Sequence, residues 1–321
     1  MSAATSSRPF RFLVGARGLQ DRRTLLERAR TAEAIGYSDV TVHDHLARQL
    51  APIALLSAVA VATERIRLCP LVFNNDLRHP AVLAQELATL DVLSEGRLVV
   101  GIGAGWNEPE YRSIDLAFDR PAVRISRMLE AVAILRAYFG DTPTSFDGQF
   151  YKIDALDGQP KPVQRPHPPF LIGGTRERVL RIAAREAEIV GMDLRQDRES
   201  LRDAFPARMD ERVGWVRDEA GERFPNLDLS VLRLLGPISI TNAPLKVSAE
   251  VARSHEARTG LSIDPHDVLE SPYSLIGSVP DLVAKLREGR QRWGINSILV
   301  GWFDEPELAD FAPVVEQLAE T

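Results

Sequence analysis

Apolar positions along the chain follow two alternating patterns: short continuous runs, and longer stretches with the spacing of one helix face. The runs predict strands at 10–14, 39–42, 66–73, 97–102, 170–172, 188–190, 227–235 and 297–300. The longer stretches predict helices at 21–35, 52–62, 80–93, 122–139, 175–187, 199–219, 282–292 and 306–318. Asp21 is a suitable N-cap for the first helix, and Gly36 is suited to end it. The chain therefore contains eight predicted strand–helix units.

Continuous apolar strands between helices are typical of a parallel sheet that is covered on both faces. Eight such units within 321 residues predict an α/β fold, the closed (β/α)8 TIM barrel. The alternative is a doubly wound open sheet, but residues 15–18 lack the G-x-G-x-x-G turn that usually follows its first strand. We expect a disordered tail at 1–9 and a single barrel domain at 10–321. Within this domain, the least regular segment, 236–278, is predicted to be an insertion over the barrel mouth.

The amino-acid composition excludes several classes of protein. The chain has 39 Lys and Arg against 45 Asp and Glu, a formal charge of -6, whereas nucleic-acid binding depends on basic side chains that neutralise phosphates. No apolar run approaches the roughly 18 residues of a membrane span. The single cysteine excludes an internal disulfide framework and a CxxC metal site. The first residues lack the pattern of a secretion signal, so we expect a cytoplasmic enzyme that acts on a small molecule, without nucleic-acid or membrane partners.

Barrel enzymes place their chemistry at the carboxyl ends of the strands, so the residues that follow each predicted strand are candidates for the site. His43-Asp44-His45 follows the second strand. Histidine exchanges protons near neutral pH, and an aspartate can orient an imidazole. The pair is a candidate for acid–base chemistry; a metal pair and structural histidines are the alternatives. We predict no metal site, because no third histidine is near.

Glycines follow two further strands. Gly101, Gly103 and Gly105 come after the fourth strand, where glycine allows the backbone to approach a ligand closely. Gly173-Gly174-Thr175 precedes a predicted helix, whose free N–H groups and dipole favour a phosphate. The alternative for this second segment is an ordinary loop in which Thr175 caps the helix.

Several of these segments, taken in order, resemble the bacterial luciferase-like monooxygenase superfamily, and most closely its branch of coenzyme F420-dependent oxidoreductases. The segments that carry the resemblance are 32–37 with 42–46, 63–68 through 78–80, 90–97 with 101–106, 168–175 and 277–280. The resemblance covers most of 10–195 and 275–318. It implies a (β/α)8 barrel that holds a flavin or deazaflavin at the carboxyl ends of the strands.

The resemblance also implies a set of cofactor-binding residues. Asp44 and His45 would face the ring system. The end of the third strand would form a bulge behind the ring, often with a non-proline cis peptide, and is represented by Leu71, Val72 and Asn74. The remaining cofactor-binding residues implied are Gly103, Ala104, Gly105, Trp106, Asn107, Gly173, Gly174, Thr175 and Arg176.

One departure from the family pattern affects the substrate. In the sugar-phosphate dehydrogenase branch a glutamate acid follows the glycines, and here Trp106 stands in its place. Neither that acid nor that substrate is therefore carried over. We predict that His45 is the proton partner, oriented by Asp44, while Glu108 is either a proton donor or a carboxylate at the rim.

Three functions remain open from the sequence. The first is hydride transfer between F420 and a small organic substrate. The second is an FMN-dependent monooxygenase that uses reduced flavin and O2, and the third is a non-catalytic flavin-binding protein. We expect a homodimer, with the apolar helices 52–62 and 80–93 available to form its interface.

Overall fold

The computed structural model describes residues 8–194, 205–305 and 307–318. Its strands are β1 Arg11–Gly15, β2 Asp39–Val42, β3 Arg67–Pro70, β4 Phe73–Asn74, β5 Val100–Gly103, β6 Thr144–Asp147, β7 Lys152–Leu156, β8 Phe170–Gly174, β9 Ile189–Met192, β10 Asp228–Val231, β11 Ser239–Ile240, β12 Ile276–Gly277 and β13 Ile295–Trp302. Its α-helices are α1 Arg22–Ile35, α2 Pro52–Ala60, α3 Pro80–Leu93, α4 Glu108–Ser113, α5 Pro121–Phe139, α6 Glu177–Glu186, α7 Pro206–Ala220, α8 Pro244–Thr259, α9 Pro265–Glu270, α10 Val279–Trp293, α11 Glu307–Asp310 and α12 Ala312–Leu318. The predicted tail, except for its last two residues, and the predicted start of the helix at 199–219 lie outside the described residues.

The alternation of parallel strands with helices predicted for a (β/α)8 chain is confirmed. The first helix shows why its bounds were predictable. Asp21 accepts a hydrogen bond from the Thr24 backbone at 3.0 Å, and Gly36, at a φ of 101°, adopts the left-handed conformation that ends a helix without steric cost. The strand predicted at 66–73 is instead two strands, β3 and β4, separated by Leu71 and Val72.

The described residues form two compact units. The first comprises the described residues within Met1–Gly15, Thr31–Asp39 and Ile172–Thr321. In it, β1 pairs with β13, β13 with β10 and β10 with β9, all in parallel. Leu13 lies opposite Leu299 in this register, and both side chains are buried. The strands are therefore covered on both faces, which explains their continuous apolar sequences.

The segment 236–278, in the same unit, is more regular than predicted. It contains α8 and α9, each of which begins with a proline at its first position, and β11, which pairs in parallel with β12. Proline favours the first turn of a helix because its missing N–H has no partner there. A small apolar cluster holds the segment together, formed by Val251, Ala252, Ile263, Val268 and Ile276.

The second unit comprises Ala16–Arg30 and Val40–Leu171. Here β4 pairs in parallel with β5, with Phe73 opposite Ile102 and Asn74 opposite Gly103. The unit also contains two features that the sequence did not predict, the short helix α4 and the antiparallel hairpin β6–β7. Both are short, and β7 alternates only between exposed and half-buried positions, so neither gives a strong apolar pattern. None of the helices within the described ranges has the length and apolar character needed to cross a membrane.

Candidate active site

The second unit brings together the ends of β2, β4 and β5 around Asn74. The Asn74 backbone N–H donates to Asp44 Oδ2 at 3.0 Å. The Asn74 side-chain oxygen lies 3.0 Å from the hydroxyl of Tyr111. Three segments that are far apart in sequence therefore meet at one residue, and cofactor-binding residues were predicted in two of them, at Asp44 and at Asn74.

Asp44 is buried and its carboxylate is used within the protein. Arg78 donates to both of its oxygens, Nη1 to Oδ2 at 2.6 Å and Nη2 to Oδ1 at 3.1 Å. This two-pronged arrangement is the geometry in which arginine holds a carboxylate most firmly. Together with the bond from Asn74, it makes Asp44 a residue that positions the end of β4.

His45 has a different carboxylate partner from the predicted Asp44. Its Nδ1 lies 3.0 Å from Oε2 of Glu110, and the two side chains are 25% and 13% exposed. The indole of Trp106 stands edge-on to the imidazole, with ring centroids 5.6 Å apart and planes at 87°. Trp106 is itself 70% exposed. The imidazole is thus held on two sides and remains accessible to solvent.

The peptide bond between Leu71 and Val72 is cis, as the resemblance implies for this position. The Leu71 carbonyl oxygen lies 2.5 Å from Nδ1 of His43. Of the two histidines in the motif, His43 therefore contacts the backbone that leads into β4, and His45 contacts Glu110.

The end of β5 and the loop after it are packed so closely that positions 103 and 105 have room only for glycine. A Cβ on Gly103 would lie 2.5 Å from Val72 Cγ2. Gly105 has a φ of +72°, and a Cβ there would lie 2.0 Å from the Tyr111 hydroxyl. On the other side, Arg124 donates to the carbonyl oxygens of Ala104 and Gly105. The loop that carries Trp106 and Asn107 is therefore rigidly held.

Tyr111 anchors α4 to this cluster. Its hydroxyl, fully buried, lies 3.0 Å from Asn74 Oδ1 and 3.1 Å from Asp76 Oδ2. Burial, and then the charge of Asp76, raise the pKa of Tyr111 to about 12. The hydroxyl therefore stays protonated at physiological pH and donates a hydrogen bond to one of these oxygens.

The predicted phosphate-binding loop lies in the first unit. Gly173, Gly174 and Thr175 are half-buried, Arg176 is exposed, and α6 begins at Glu177 with Arg176, and not Thr175, as its N-cap. The Gly174 carbonyl accepts from the Asp193 N–H at 3.2 Å.

Arg212, from α7, supports the same loop. The residue is fully buried. Its guanidinium donates to the carbonyl oxygen of Thr175 at 3.1 Å, to that of Asp193 at 3.1 Å and to the Tyr273 hydroxyl at 2.7 Å.

A family model described as luciferase-like monooxygenase matches residues 5–214, about two thirds of the chain. The chain belongs to this family. The resemblance that the sequence motifs gave is confirmed.

Relatives within the luciferase-like family use two different cofactors. An F420-dependent glucose-6-phosphate dehydrogenase from Microbacterium testaceum is 31% identical over 172 residues, 51% of this chain and 50% of that protein. An FMNH2-dependent dimethylsulfone monooxygenase from Pseudomonas putida is 29% identical over 136 residues, 42% of this chain and 37% of that protein. The chain thus matches half or less of the length of these two relatives.

The luciferase-like fold extends over nearly the whole chain. The coenzyme F420-dependent tetrahydromethanopterin reductase from Methanopyrus kandleri has a TM-score of 0.75 and 20% sequence identity, and the match covers 97% of this chain and 99% of that one. This confirms the predicted fold class, the luciferase-like (β/α)8 barrel.

Glu108 and Glu110 are only two positions apart, and the sequence analysis named Glu108 as the candidate proton donor. That side chain is 45% exposed and pairs with Arg112 at 2.5 Å on the surface of α4. Glu110 contacts His45 instead. Pro109, which favours the start of a helix, was a signal that 108–113 is a short helix in which residues two positions apart face different sides. No comparable signal marked Arg212.

No group of three or more histidine, cysteine, aspartate or glutamate side chains is arranged for a metal ion in the part of the chain that the structure describes. The contact of His45 with Glu110 is an imidazole–carboxylate pair, an arrangement suited to moving a proton.

Proposed function

We propose that the protein is an oxidoreductase that binds coenzyme F420 and transfers a hydride between the deazaflavin and a small organic substrate. The observation that carries the proposal is the accessible imidazole of His45, held by a carboxylate and an indole next to the predicted ring-binding residues. Family membership supports it, because F420-dependent enzymes are among the relatives.

The proposed ring-binding residues are those of the second unit. His45, Val72 and Trp106 offer an imidazole edge, an apolar branched side chain and an indole, which suits a flat conjugated ring. Asn74 and the backbone at 103–107 supply polar groups beside them. Asp44 acts on the ring through Asn74, since its own oxygens are bonded to Asn74 and Arg78. This donor set fits a flavin or a deazaflavin.

The proposed phosphate-binding residues are those of the first unit, Gly173, Gly174, Thr175 and Arg176. Two of the loop's carbonyls, those of Gly174 and Thr175, accept hydrogen bonds within the protein. In a trans peptide the N–H points opposite to the C=O, so the N–H groups of Thr175 and Arg176 face away from those donors. Amide groups presented in this way at a helix start favour an anion.

When bound, the cofactor supplies the hydride chemistry, and the protein supplies proton transfer and orientation. His45 exchanges a proton with the substrate heteroatom. Trp106 limits the space beside the imidazole, and Arg124 holds the loop that carries Trp106.

The decisive experiment compares F420, FMN and NADPH in a thermal-shift assay of the whole protein. A ligand at 100 times its Kd adds about 2.7 kcal/mol to the free energy of unfolding, so the true cofactor raises the Tm most. The assignment to F420 predicts stabilisation by F420. Tight FMN binding without F420 binding contradicts it.

The alternative function is an FMN-dependent monooxygenase, and the dimethylsulfone monooxygenase among the relatives favours it specifically. A non-catalytic flavin-binding protein is separated from both by stopped-flow in which the reduced cofactor, bound to the protein anaerobically, is mixed either with a carbonyl or imine substrate or with O2. His45→Gln is the test variant, and His266→Gln, an exposed histidine on α9, is the control. Redox rates that fall only in His45→Gln support an enzyme, whereas equal rates support a binding protein.

We also propose a homodimer, as the sequence predicted. On the second unit, α3 carries Val82 and Leu93 with large exposed fractions, and Val61, just after α2, is likewise exposed. A second copy of the chain would cover these side chains.

A further inference from the structure

We propose that Glu110 is the positioning residue for His45, and that it fixes which ring nitrogen exchanges the proton. The inference rests on the proposed function, because it assigns His45 the role of proton partner. In this arrangement Nδ1 carries hydrogen and donates to Glu110, while Nε2 is the nitrogen available to the substrate.

The geometry sets the tautomer. Glu110 Oε2 lies 3.0 Å from Nδ1 of His45, and a carboxylate oxygen accepts hydrogen bonds. The hydrogen therefore lies on Nδ1, and the neutral imidazole presents Nε2 as an acceptor. Free histidine has no such constraint. The carboxylate thus prepares the ring to take a proton at one defined atom, Nε2.

The carboxylate is held in place by its own helix. Tyr111, the next residue, is buried and bonded to Asn74 and Asp76. The Ser113 hydroxyl donates to the Glu110 carbonyl at 2.7 Å. Because the Glu110 side chain is only 13% exposed, it has little freedom to leave the imidazole.

Two other carboxylates nearby are excluded from this role by their contacts. Asp44 bonds to Asn74 and Arg78, and Glu108 pairs with Arg112 on the surface. Glu108 is only two residues from Glu110 and belongs to the same helix, so it provides a matched control.

The proposed proton transfer breaks one bond and forms one. A proton on a substrate O–H or N–H passes to Nε2 as that bond breaks, leaving the electron pair on the substrate heteroatom, and the imidazolium later returns the proton to solvent. In the reverse direction Nε2 delivers the proton. The pair therefore suits a substrate with a hydroxyl or amine, or the corresponding carbonyl or imine.

The experiment is nitrogen NMR of the whole protein labelled with 15N-histidine, near neutral pH, with His45→Gln used to assign the His45 signals. Wild type and Glu108→Gln should both show the Nδ1–H tautomer. Glu110→Leu should move His45 towards the Nε2–H form. Glu110→Gln, whose amide oxygen still accepts a hydrogen bond, should retain Nδ1–H, and it also shows whether the site tolerates a change at this position.

Cofactor affinity is measured on the same variants by fluorescence titration with F420 and FMN. A positioning residue predicts that Glu110→Gln and Glu108→Gln keep the Kd within about twofold of wild type. The proposal is overturned if Glu110→Leu leaves the tautomer unchanged, or if Glu108→Gln alters it as much. If the wild-type protein binds neither F420 nor FMN, the proposed function is contradicted. The NMR result would still decide the role of Glu110.

Discussion

Gly103 lies where β5 passes Val72, and an added Cβ would meet Val72 Cγ2 at 2.5 Å. Gly103→Ala should therefore lower the free energy of unfolding by about 1–3 kcal/mol, the cost of overpacking a filled site. Urea denaturation measures the change. Gly214, within α7, has no atom within 4 Å of its Cβ position, so Gly214→Ala should stabilise the protein by about 0.5–1 kcal/mol. A similar effect from both substitutions would contradict the close packing at Gly103.

A single buried histidine, His255, should make the stability of the protein depend on pH. It is buried on α8, with no hydrogen-bond partner for either ring nitrogen among the described residues. Burial, and secondarily the charge of Arg258, lower the pKa of His255 below its usual 6.5. The folded state thus binds fewer protons than the unfolded state, and stability should fall as the pH drops below 6.5.

The variant His255→Leu removes this titration. Its free energy of unfolding should depend less on pH than that of wild type between pH 7 and pH 5, as measured by urea denaturation. His266→Gln, at an exposed position on α9, serves as the control and should follow the wild-type curve. Parallel curves for wild type and His255→Leu would show that His255 does not contribute.

At the scale of elements, α7 supports the loop between β8 and α6 through Arg212. Arg212→Met leaves the Thr175 carbonyl, the Asp193 carbonyl and the Tyr273 hydroxyl without this donor. We expect the free energy of unfolding to fall by about 2–4 kcal/mol, because a buried polar group that loses its partner costs about 1–3 kcal/mol. Tyr273 is fully buried and bears most of this cost, whereas Thr175 and Asp193 are half-buried and lose less.

The same variant tests the proposed phosphate loop. Since Arg212 orients the Thr175–Arg176 peptide, its loss should weaken FMN more than riboflavin, which lacks the phosphate. The ratio of the two Kd values, measured by fluorescence, reports this effect separately from stability. Arg217→Met is the control, because Arg217 is exposed on the same helix and stacks on Phe224, 4.8 Å from the ring centroid. An unchanged ratio in Arg212→Met would show that Arg212 does not contribute to phosphate binding.

Elements with a strong apolar pattern were predictable, and those defined by long-range contacts were not. The helices 22–35 and 80–93 were predicted within one residue of their bounds, because caps and proline mark their starts. The helix α4 and the hairpin β6–β7 were missed, since their short sequences bury few side chains.

The same distinction holds for the candidate site. Its location at the ends of strands followed from the strand–helix pattern, and His45 was identified from its position after β2. Its partner was not predictable, because the contact with Glu110 joins residues 65 positions apart. Local sequence suggested Asp44, the adjacent carboxylate, whereas the tertiary structure bonds Asp44 to Arg78.

At the scale of the whole molecule, two exposed apolar side chains on α3 form a stripe along one side of the helix, and Val92 is a third exposed one about a quarter-turn away. Val82 and Leu93 are eleven residues apart, close to three helical turns, so they lie on the same side of the helix. Their exposed fractions are 53% and 45%, and Val61, just after α2 in the same unit, is 71% exposed. Apolar surface arranged in one stripe favours association, whereas scattered residues do not.

The homodimer therefore predicts a molar mass of twice 35.6 kDa in size-exclusion chromatography with light scattering. Val82→Arg places a charge in the proposed interface and should shift the protein towards the monomer at micromolar concentration, because an unpaired charge is costly to bury. Val163 is also 53% exposed but lies outside the α3 stripe, so Val163→Arg should leave the mass unchanged. A monomeric wild type would refute the dimer, and a dimer that survives Val82→Arg would place its interface elsewhere. In either case α3 would be a solvent-exposed helix, and its apolar stripe would need another explanation.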